Sequence, residues 1–330
     1  MVGVSDSPES LHLWHGARMR AVGVVEFGGP DALQVVELPE RHAGPGEIRI
    51  RVHAATVNPT DTYTRNGARA AQLEKLPPQY VPGMDAAGVL DEIGEGVETD
   101  LEVGDRVMAI VVPFGSHGAY SESLVVPVGS VARAPAGSTH AEASTLPMNG
   151  LTARLALDML GLDAGATVAV TGAAGAFGGY AVQLAVADGL RVVADASERD
   201  DQLVRSLGAH EVVRRGDDVA DRIRAAHPGG VDGLIDGAVQ NELVIPAVRD
   251  GGGFATVRGY PGVPERGITF HQVWVRDYAE NQAELDRLRV LVEGGQITLR
   301  VARTFPAEQA SEAHRLLEAG GTRGRFVIEF

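Results

Sequence analysis

Cysteine is absent from all 330 residues, and that absence removes disulfides, cysteine-ligated zinc and thiol nucleophiles together. Long apolar runs are missing too. None reaches the roughly 18 residues that a membrane helix needs, so no segment reads as a membrane span. Positive charge is in deficit: 29 lysines and arginines face 44 aspartates and glutamates, a net charge of -15. The bulk surface would therefore repel nucleic acid and anionic membranes. A few arginines gathered in one pocket can still outweigh that average for a small anion. No signal peptide is visible, which makes the cytoplasm the expected location.

What is present is an ordinary globular composition, 44% hydrophobic and 22% charged. The length exceeds the size at which one hydrophobic core stops growing, so two domains are expected. The chain is organised around Leu162 to Gln183, LDAGATVAVTGAAGAFGGYAVQ, which combines a strand, a glycine-rich turn and a helix start. Thr167 to Thr171 has no polar alternation, as befits a parallel strand covered on both faces. Gly172, Gly175 and Gly178 then recur every third residue before an apolar helical pattern resumes. Such a turn lets the backbone bend tightly and approach a pyrophosphate, with free N–H groups at the helix start facing the phosphates. In the G-x-G-x-x-G frame Ala173 replaces the first glycine, so Gly175 and Gly178 carry the match.

Residues Met1 to Arg18 are polar, carry Pro8 and lack periodicity, and they read as a flexible N-terminal extension over 1-18. His12 and His15 flank Trp14 there and read as solvated side chains rather than ligands. Met19 opens a strand-like run and is a second candidate start. From Arg20 to about Pro147 short strands follow at close spacing: Leu33 to Leu38, Glu47 to Val57, Ala86 to Ile93, Arg106 to Val112 and Ser121 to Val126. That texture predicts an all-β, barrel-like module. Strands and helices alternate afterwards, with strands at Thr167 to Thr171, Arg191 to Asp195, Glu211 to Val213, Gly233 to Asp236 and Gly253 to Val257. Repeated βα units of this length predict a doubly wound parallel sheet. Ile268 to Val275 reads as one more strand, Ala279 to Glu293 and Ala307 to Glu318 as amphipathic helices, and Arg325 to Phe330 as a strand returning to the first module.

Seven separated motifs stand in one shared order: NPTDTYTRNG (Asn58 to Gly67), VPGMDAAGVLDEIGEGV (Val81 to Val97), VGDRVMA (Val103 to Ala109), LPMNGLTARLAL (Leu146 to Leu157), TGAAGAFG (Thr171 to Gly178), RSLGAHEVV (Arg205 to Val213) and the tail GRFVIEF. Through them the chain, from Met19 to Phe330, resembles the medium-chain dehydrogenase/reductase superfamily, in its zinc-free quinone oxidoreductase branch related to zeta-crystallin. The resemblance implies an α/β protein: a GroES-like β-barrel catalytic domain (19-147 and 276-330) interrupted by a Rossmann domain with a doubly wound parallel sheet (148-275). It also implies a nicotinamide cofactor in the cleft between the domains and a homodimer formed through the strand at 268-275.

Asn58 stands where zinc-dependent relatives have their first catalytic cysteine, and Met84 where they have histidine. Neither suits a site that needs thiolate, imidazole or carboxylate. Asp61 and Asp85 could coordinate a cation but read better as acceptors of backbone hydrogen bonds. The family's N-x-x-D-x-Y motif implies that Asn58, Asp61 and Tyr63 line the cleft, with Asn58 donating to a substrate carbonyl and Tyr63 donating a hydrogen bond or proton. The alternatives are that Asp61 pins its loop and Tyr63 walls the pocket. His53, His117 and His140 read as structural or surface residues.

On the cofactor side the resemblance points to Thr152, the turn residues Gly175, Phe177 and Gly178, and Gly259. Ser197 and Arg199 resemble residues that hold a 2′-phosphate, and Arg215 could join them, which favours NADP(H). Asp195 favours NAD(H) if its carboxylate reaches the ribose, because it would repel a phosphate. The expected activity is NADPH-dependent, metal-free reduction of quinones or α,β-unsaturated carbonyls, with Ala68 to Gln79 and Phe114 to Tyr120 shaping the substrate pocket. Rival expectations are an enoyl-thioester reductase of a polyketide or fatty-acid pathway and a non-catalytic NADPH-binding sensor or structural protein.

Overall fold

The structure is a computed structural model that describes residues 17–330. His12, Trp14, His15 and nearly all of the expected extension lie outside those residues. β1 (Arg18–Val24) and β2 (Leu33–Pro39) pair antiparallel as a small sheet of their own. A second, larger sheet includes β3 (Glu47–Thr56), β4 (Asp85–Ile93), β5 (Arg106–Ile110), β6 (Ser123–Pro127) and β7 (Val131–Arg133). In β3 the pattern follows the pleat: Ile48, Ile50 and Val52 are buried while Arg49 and Arg51 lean outward. Short helices α1 (Asp61–Arg65) and α2 (Ala70–Leu73) occupy the β3–β4 connection. α3 (His140–Ser144) starts at a capping box in which Thr139 and Glu142 satisfy each other's backbone N–H.

α4 (Pro147–Leu160) opens with proline in its first turn and closes at Gly161 in the left-handed region, so both ends are written in the sequence. It leads into β8 (Thr167–Thr171), α5 (Ala176–Ala187), β9 (Arg191–Ala196), α6 (Asp201–Ser206), β10 (Glu211–Arg214), α7 (Val219–Ala226), β11 (Val231–Asp236), β12 (Val248–Thr256) and β13 (Thr269–Gln272). These six strands are all parallel, in the order β10-β9-β8-β11-β12-β13. That order is the doubly wound dinucleotide-binding arrangement, whose ligands sit beyond the C-terminal strand ends. α8 (Gln282–Glu293), β14 (Val301–Pro306), α9 (Ala310–Ala319) and β15 (Arg325–Glu329) complete the chain. β15 lies parallel to β14 and antiparallel to β3, with Val327 opposite Thr56, so the closing strand joins the first-made sheet.

Several boundaries differ from the sequence reading by a few residues, and two of the differences bear on the parallel sheet. β12 begins at Val248 rather than Gly253, because the run Gly251 to Gly253 carries no side-chain signal although its backbone is in the sheet. The expected strand Ile268 to Val275 is a strand only over Thr269–Gln272, after which the chain turns into a 3-10 segment at Val275–Tyr278. Apolar packing is continuous from one domain to the other. Met108 and Ile110 of β5, Leu151 and Leu155 of α4, and Val170 of β8 share one core, so α4 is the wedge that fixes the two sheets to each other.

Candidate functional site

The β8–α5 turn is formed by backbone contacts that exclude side chains. A Cβ on Gly178 would lie 2.7 Å from the Gly172 carbonyl carbon and 2.8 Å from the Ala173 Cα. Only glycine lets the helix start press so closely on the turn. Gly175 is the N-cap of α5 and its N–H bonds the Gly172 carbonyl at 2.9 Å. Phe177, in the first helical turn, packs against Gly237 in the loop after β11. Beneath the turn Arg300 donates to the carbonyls of Ala174 (3.2 Å) and Gly175 (2.6 Å), a clamp reaching over from the segment before β14. The carbonyls are thereby occupied from behind, and the amide N–H groups at the start of α5 form the end that an anion would meet. A dinucleotide fits this cradle: its floor has no room for a side chain, and its rim carries the positive end of a twelve-residue helix. Thr152, in α4, is buried and donates to the Met148 carbonyl at 2.5 Å. Gly259, after β12, lies against the Trp274 ring.

Asn58 is fully buried, and the structure corrects its expected role. Its side-chain amide donates to Asp85 (2.6 Å) and its carbonyl accepts from Asn149 (3.1 Å), so it faces inward rather than toward a substrate. The reason is electrostatic. Asp85 is completely enclosed and needs donors, which it takes from Asn58 and from the Met148 N–H (2.5 Å) at the start of α4. Arg325, from β15, donates to Asn149 and supplies the neighbouring positive charge. Even so, burial pushes the Asp85 carboxyl up to about 7.

Asp61 takes the loop-pinning alternative. Its carboxylate accepts from the backbone N–H of Asn58 (2.7 Å), from that of Gly83 (3.2 Å) and from the Tyr120 hydroxyl (3.0 Å), tying α1 to the strand entry at β4. Burial raises it to about 6 against those hydrogen bonds. Behind it the chain of partners continues: Tyr120 Oη lies 3.1 Å from His314 Nε2, and His314 Nδ1 lies 3.3 Å from Arg65 Nη1. These contacts are consistent if His314 is neutral with its hydrogen on Nε2, and burial, then the Arg65 charge, hold its pKa down to about 3. Tyr63 alone of the motif trio is partly exposed. Its hydroxyl accepts from Arg258 of the opposite domain, whose guanidinium carbon sits 5.5 Å from the ring centroid.

At the second strand end, Asp195 is buried and accepts from the Ala173 N–H at 3.2 Å, so its carboxylate serves the glycine turn. Ser197 lines a 340 Å³ cavity together with Glu198, Val213 and Arg214. Its hydroxyl donates to Asp200, a residue the sequence reading did not single out. Asp200 is gripped by Arg323 through two bonds of 2.7 and 2.6 Å and held down to about 2 chiefly by them. Arg199 is 3.9 Å from the same carboxylate and largely exposed, and Arg215, also exposed, bonds through its N–H to the Ala196 carbonyl at 2.9 Å.

Asn58 and Met84, matched above to zinc-ligand positions of related enzymes, and the adjacent Asp85 do not fit a zinc ion. The amide and the carboxylate satisfy each other, and the Met84 sulfur accepts from the Thr60 hydroxyl at 3.2 Å. Among the described residues no group of three His, Asp or Glu could hold a metal. His53 and His140 stack on each other at 4.7 Å, away from this centre. The loops expected to shape the substrate pocket, around Leu76 to Gln79 and Phe114 to His117, instead border a 620 Å³ cavity. None of its lining residues belongs to the parallel-sheet domain. Sequence reasoning missed Asn149, Arg258, Arg300, His314 and Arg325, and named Tyr120 only as the end of a pocket-shaping loop. Two of these had a usable signal: Asn149 is the one polar residue in the first turn of α4, and His314 sits on the buried face of α9.

Comparison with known proteins agrees with this architecture. Residues 44–136 match the alcohol dehydrogenase GroES-like domain and residues 207–328 match the zinc-binding dehydrogenase family. Quinone oxidoreductase of Rattus norvegicus is 30% identical over 331 residues, covering 94% of this chain and 97% of its own. A 2-haloacrylate reductase of a Burkholderia species is 31% identical over 326 residues, covering 91% and 96%. Among solved structures, a mycobacterial protein complexed with NADPH superposes with a TM-score of 0.81 at 27% identity, covering 94% of this chain and all of that one.

Proposed function

Since this chain belongs to the medium-chain dehydrogenase/reductase superfamily as a quinone oxidoreductase-like oxidoreductase, we propose that it is an NADPH-dependent, metal-independent reductase of quinones or α,β-unsaturated carbonyl compounds. The observation that carries this reading is the closed Asn58–Asp85–Asn149 set at the position where a metal would polarise an alcohol. Without a Lewis acid, simple alcohol oxidation lacks its usual stabilisation of an alkoxide. An electron-poor C=C or quinone needs less, because the arriving charge delocalises over the acceptor.

When bound, the dinucleotide supplies the hydride and with it both electrons. The protein's own residues do the rest. The N–H groups at the start of α5 hold the pyrophosphate, with Gly175 and Gly178 allowing the close approach and Arg300 bracing the turn from below. Thr152 and Gly259 border the nicotinamide end. Arg199 and Arg215 hold the 2′-phosphate and Ser197 borders it with its hydroxyl donated to Asp200, while Asp195 stays committed to the turn and Arg323 balances Asp200. Tyr63 directs its hydroxyl hydrogen into the cleft, because its oxygen accepts from Arg258. The exposed outer edge of β13 serves a homodimer.

The test is consumption of NADPH and of NADH with 1,4-benzoquinone and with an enone, each with and without a chelator. NADPH oxidation that the chelator leaves unchanged is the expected result. A rate abolished by the chelator and restored by zinc would overturn the metal-independent reading.

A further inference from the structure

Arg258 lies two residues beyond the end of β12, on the rim where the strand ends face the catalytic domain. Several of the chain's arginines are matched to its carboxylates: Arg154 bonds Asp158 and Asp188, and Arg323 bonds Asp200. Arg258 is exposed and, like Arg300 and Arg325, bonds no carboxylate among the described residues. Among the described residues its polar partner is the Tyr63 hydroxyl, and its guanidinium leans on the Tyr63 ring at 5.5 Å. A guanidinium carries five N–H donors in a planar fork, and one tyrosine oxygen engages one of them. The remaining donors keep the geometry that suits a planar two-oxygen anion.

We infer that Arg258 makes this cleft a site for acceptors that carry a carboxylate directly on the C=C bond, an inference that rests on the reductase reading above. In the step that follows, the β-carbon gains hydride from the bound dihydronicotinamide, which is oxidised, and the C=C π pair moves onto the carboxylate as an enediolate. Arg258 holds both oxygens as this second negative charge develops, which is where stabilisation accelerates the reaction. The enediolate then takes a proton at its α-carbon from the Tyr63 hydroxyl, whose hydrogen points away from Arg258 because the oxygen accepts from it, and water reprotonates the phenolate. The product is the saturated acid.

The experiment compares 2-chloroacrylate, its methyl ester and 1,4-benzoquinone as acceptors for wild type, Arg258→Ala and Arg258→Lys, with NADPH binding followed separately by fluorescence. Loss of a charge-assisted bond predicts a fall of about 10- to 100-fold in kcat/KM for the acid in Arg258→Ala. The ester and the quinone, which lose only the Arg258 contact that orients Tyr63, should fall by a clearly smaller factor than the acid, and Arg258→Lys should recover part of the acid's extra loss. Calorimetry supplies a second readout: 2-chloropropionate should bind the NADP-loaded wild type and not the loaded Arg258→Ala protein. Equal losses for acid and ester, or a wild type that reduces the ester but not the acid, would overturn the assignment of Arg258 alone. Intact NADPH binding with none of the three acceptors reduced would remove the reductase reading and this inference together.

Discussion

Replacing Asp85 by asparagine tests whether burial or ion pairing governs the centre of the catalytic domain. Burial pushes the Asp85 carboxyl from 3.8 up to about 7, outweighing the bonds from Met148 and Asn58 and the charge of Arg325. A folded-state value above the unfolded one means that the native protein keeps a proton the unfolded chain has released. Stability from this group is therefore present below about pH 4 and lost as pH rises through about 7. Between pH 5 and pH 8 the folded carboxyl ionises while the unfolded one already has, which removes roughly 2 to 3 kcal/mol. The raw profile mixes this with opposing contributions. His140, held down to about 4, and His314, held down to about 3, stay neutral in the fold and lose stability as pH falls below their ordinary range. The difference between wild type and Asp85→Asn isolates the carboxyl, because any fixed cost of the new amide facing Asn58 does not vary with pH. Urea unfolding followed by circular dichroism at pH 5, 6, 7 and 8 should show the variant gaining about 2 to 3 kcal/mol on wild type across the range, with unchanged m-values. Curves that stay parallel to within about 0.5 kcal/mol would mean that Arg325 keeps Asp85 ionised throughout, and the burial argument would fall.

Arg199→Ala should weaken NADPH binding by about tenfold and leave NADH binding nearly unchanged, in fluorescence titrations of both coenzymes; equal weakening would remove the 2′-phosphate assignment. Tyr63→Phe keeps the ring under Arg258 but removes the hydroxyl, and it should lower kcat by about 100-fold if that group passes a proton. An unaltered kcat would leave Tyr63 as a wall of the cleft.

Much of the fold was legible because it rests on local patterns. The strand Thr167 to Thr171 was read to the residue, since an unbroken β-branched run between a loop and a glycine turn has few other conformations. The glycine turn was equally plain. What escaped was placement through long-range pairing. The N-x-x-D-x-Y spacing says that Asn58, Asp61 and Tyr63 are neighbours, yet Asn58 turns inward because Asp85, 27 residues later, needs its amide. Asp61 turns inward because Tyr120 and Gly83 meet it there. Arg258 carried no local signal, since only the opposition of two domains gives it a tyrosine to lean on. Asp200 was hidden in the same way: its partner Arg323 is 123 residues further along.

β3 and β4 emerge from synthesis long before β15, yet β15 completes their sheet and brings Arg325 close enough to Asp85 to act on its charge. While the parallel-sheet domain is being made, the earlier module waits with residues 54–56 of β3 unpaired on one flank, beyond the stretch that β6 covers, and an acidic centre uncompensated. The portion translated first is thus the last to be finished, and during that interval the growing chain depends on whatever shields an unpaired strand from its neighbours.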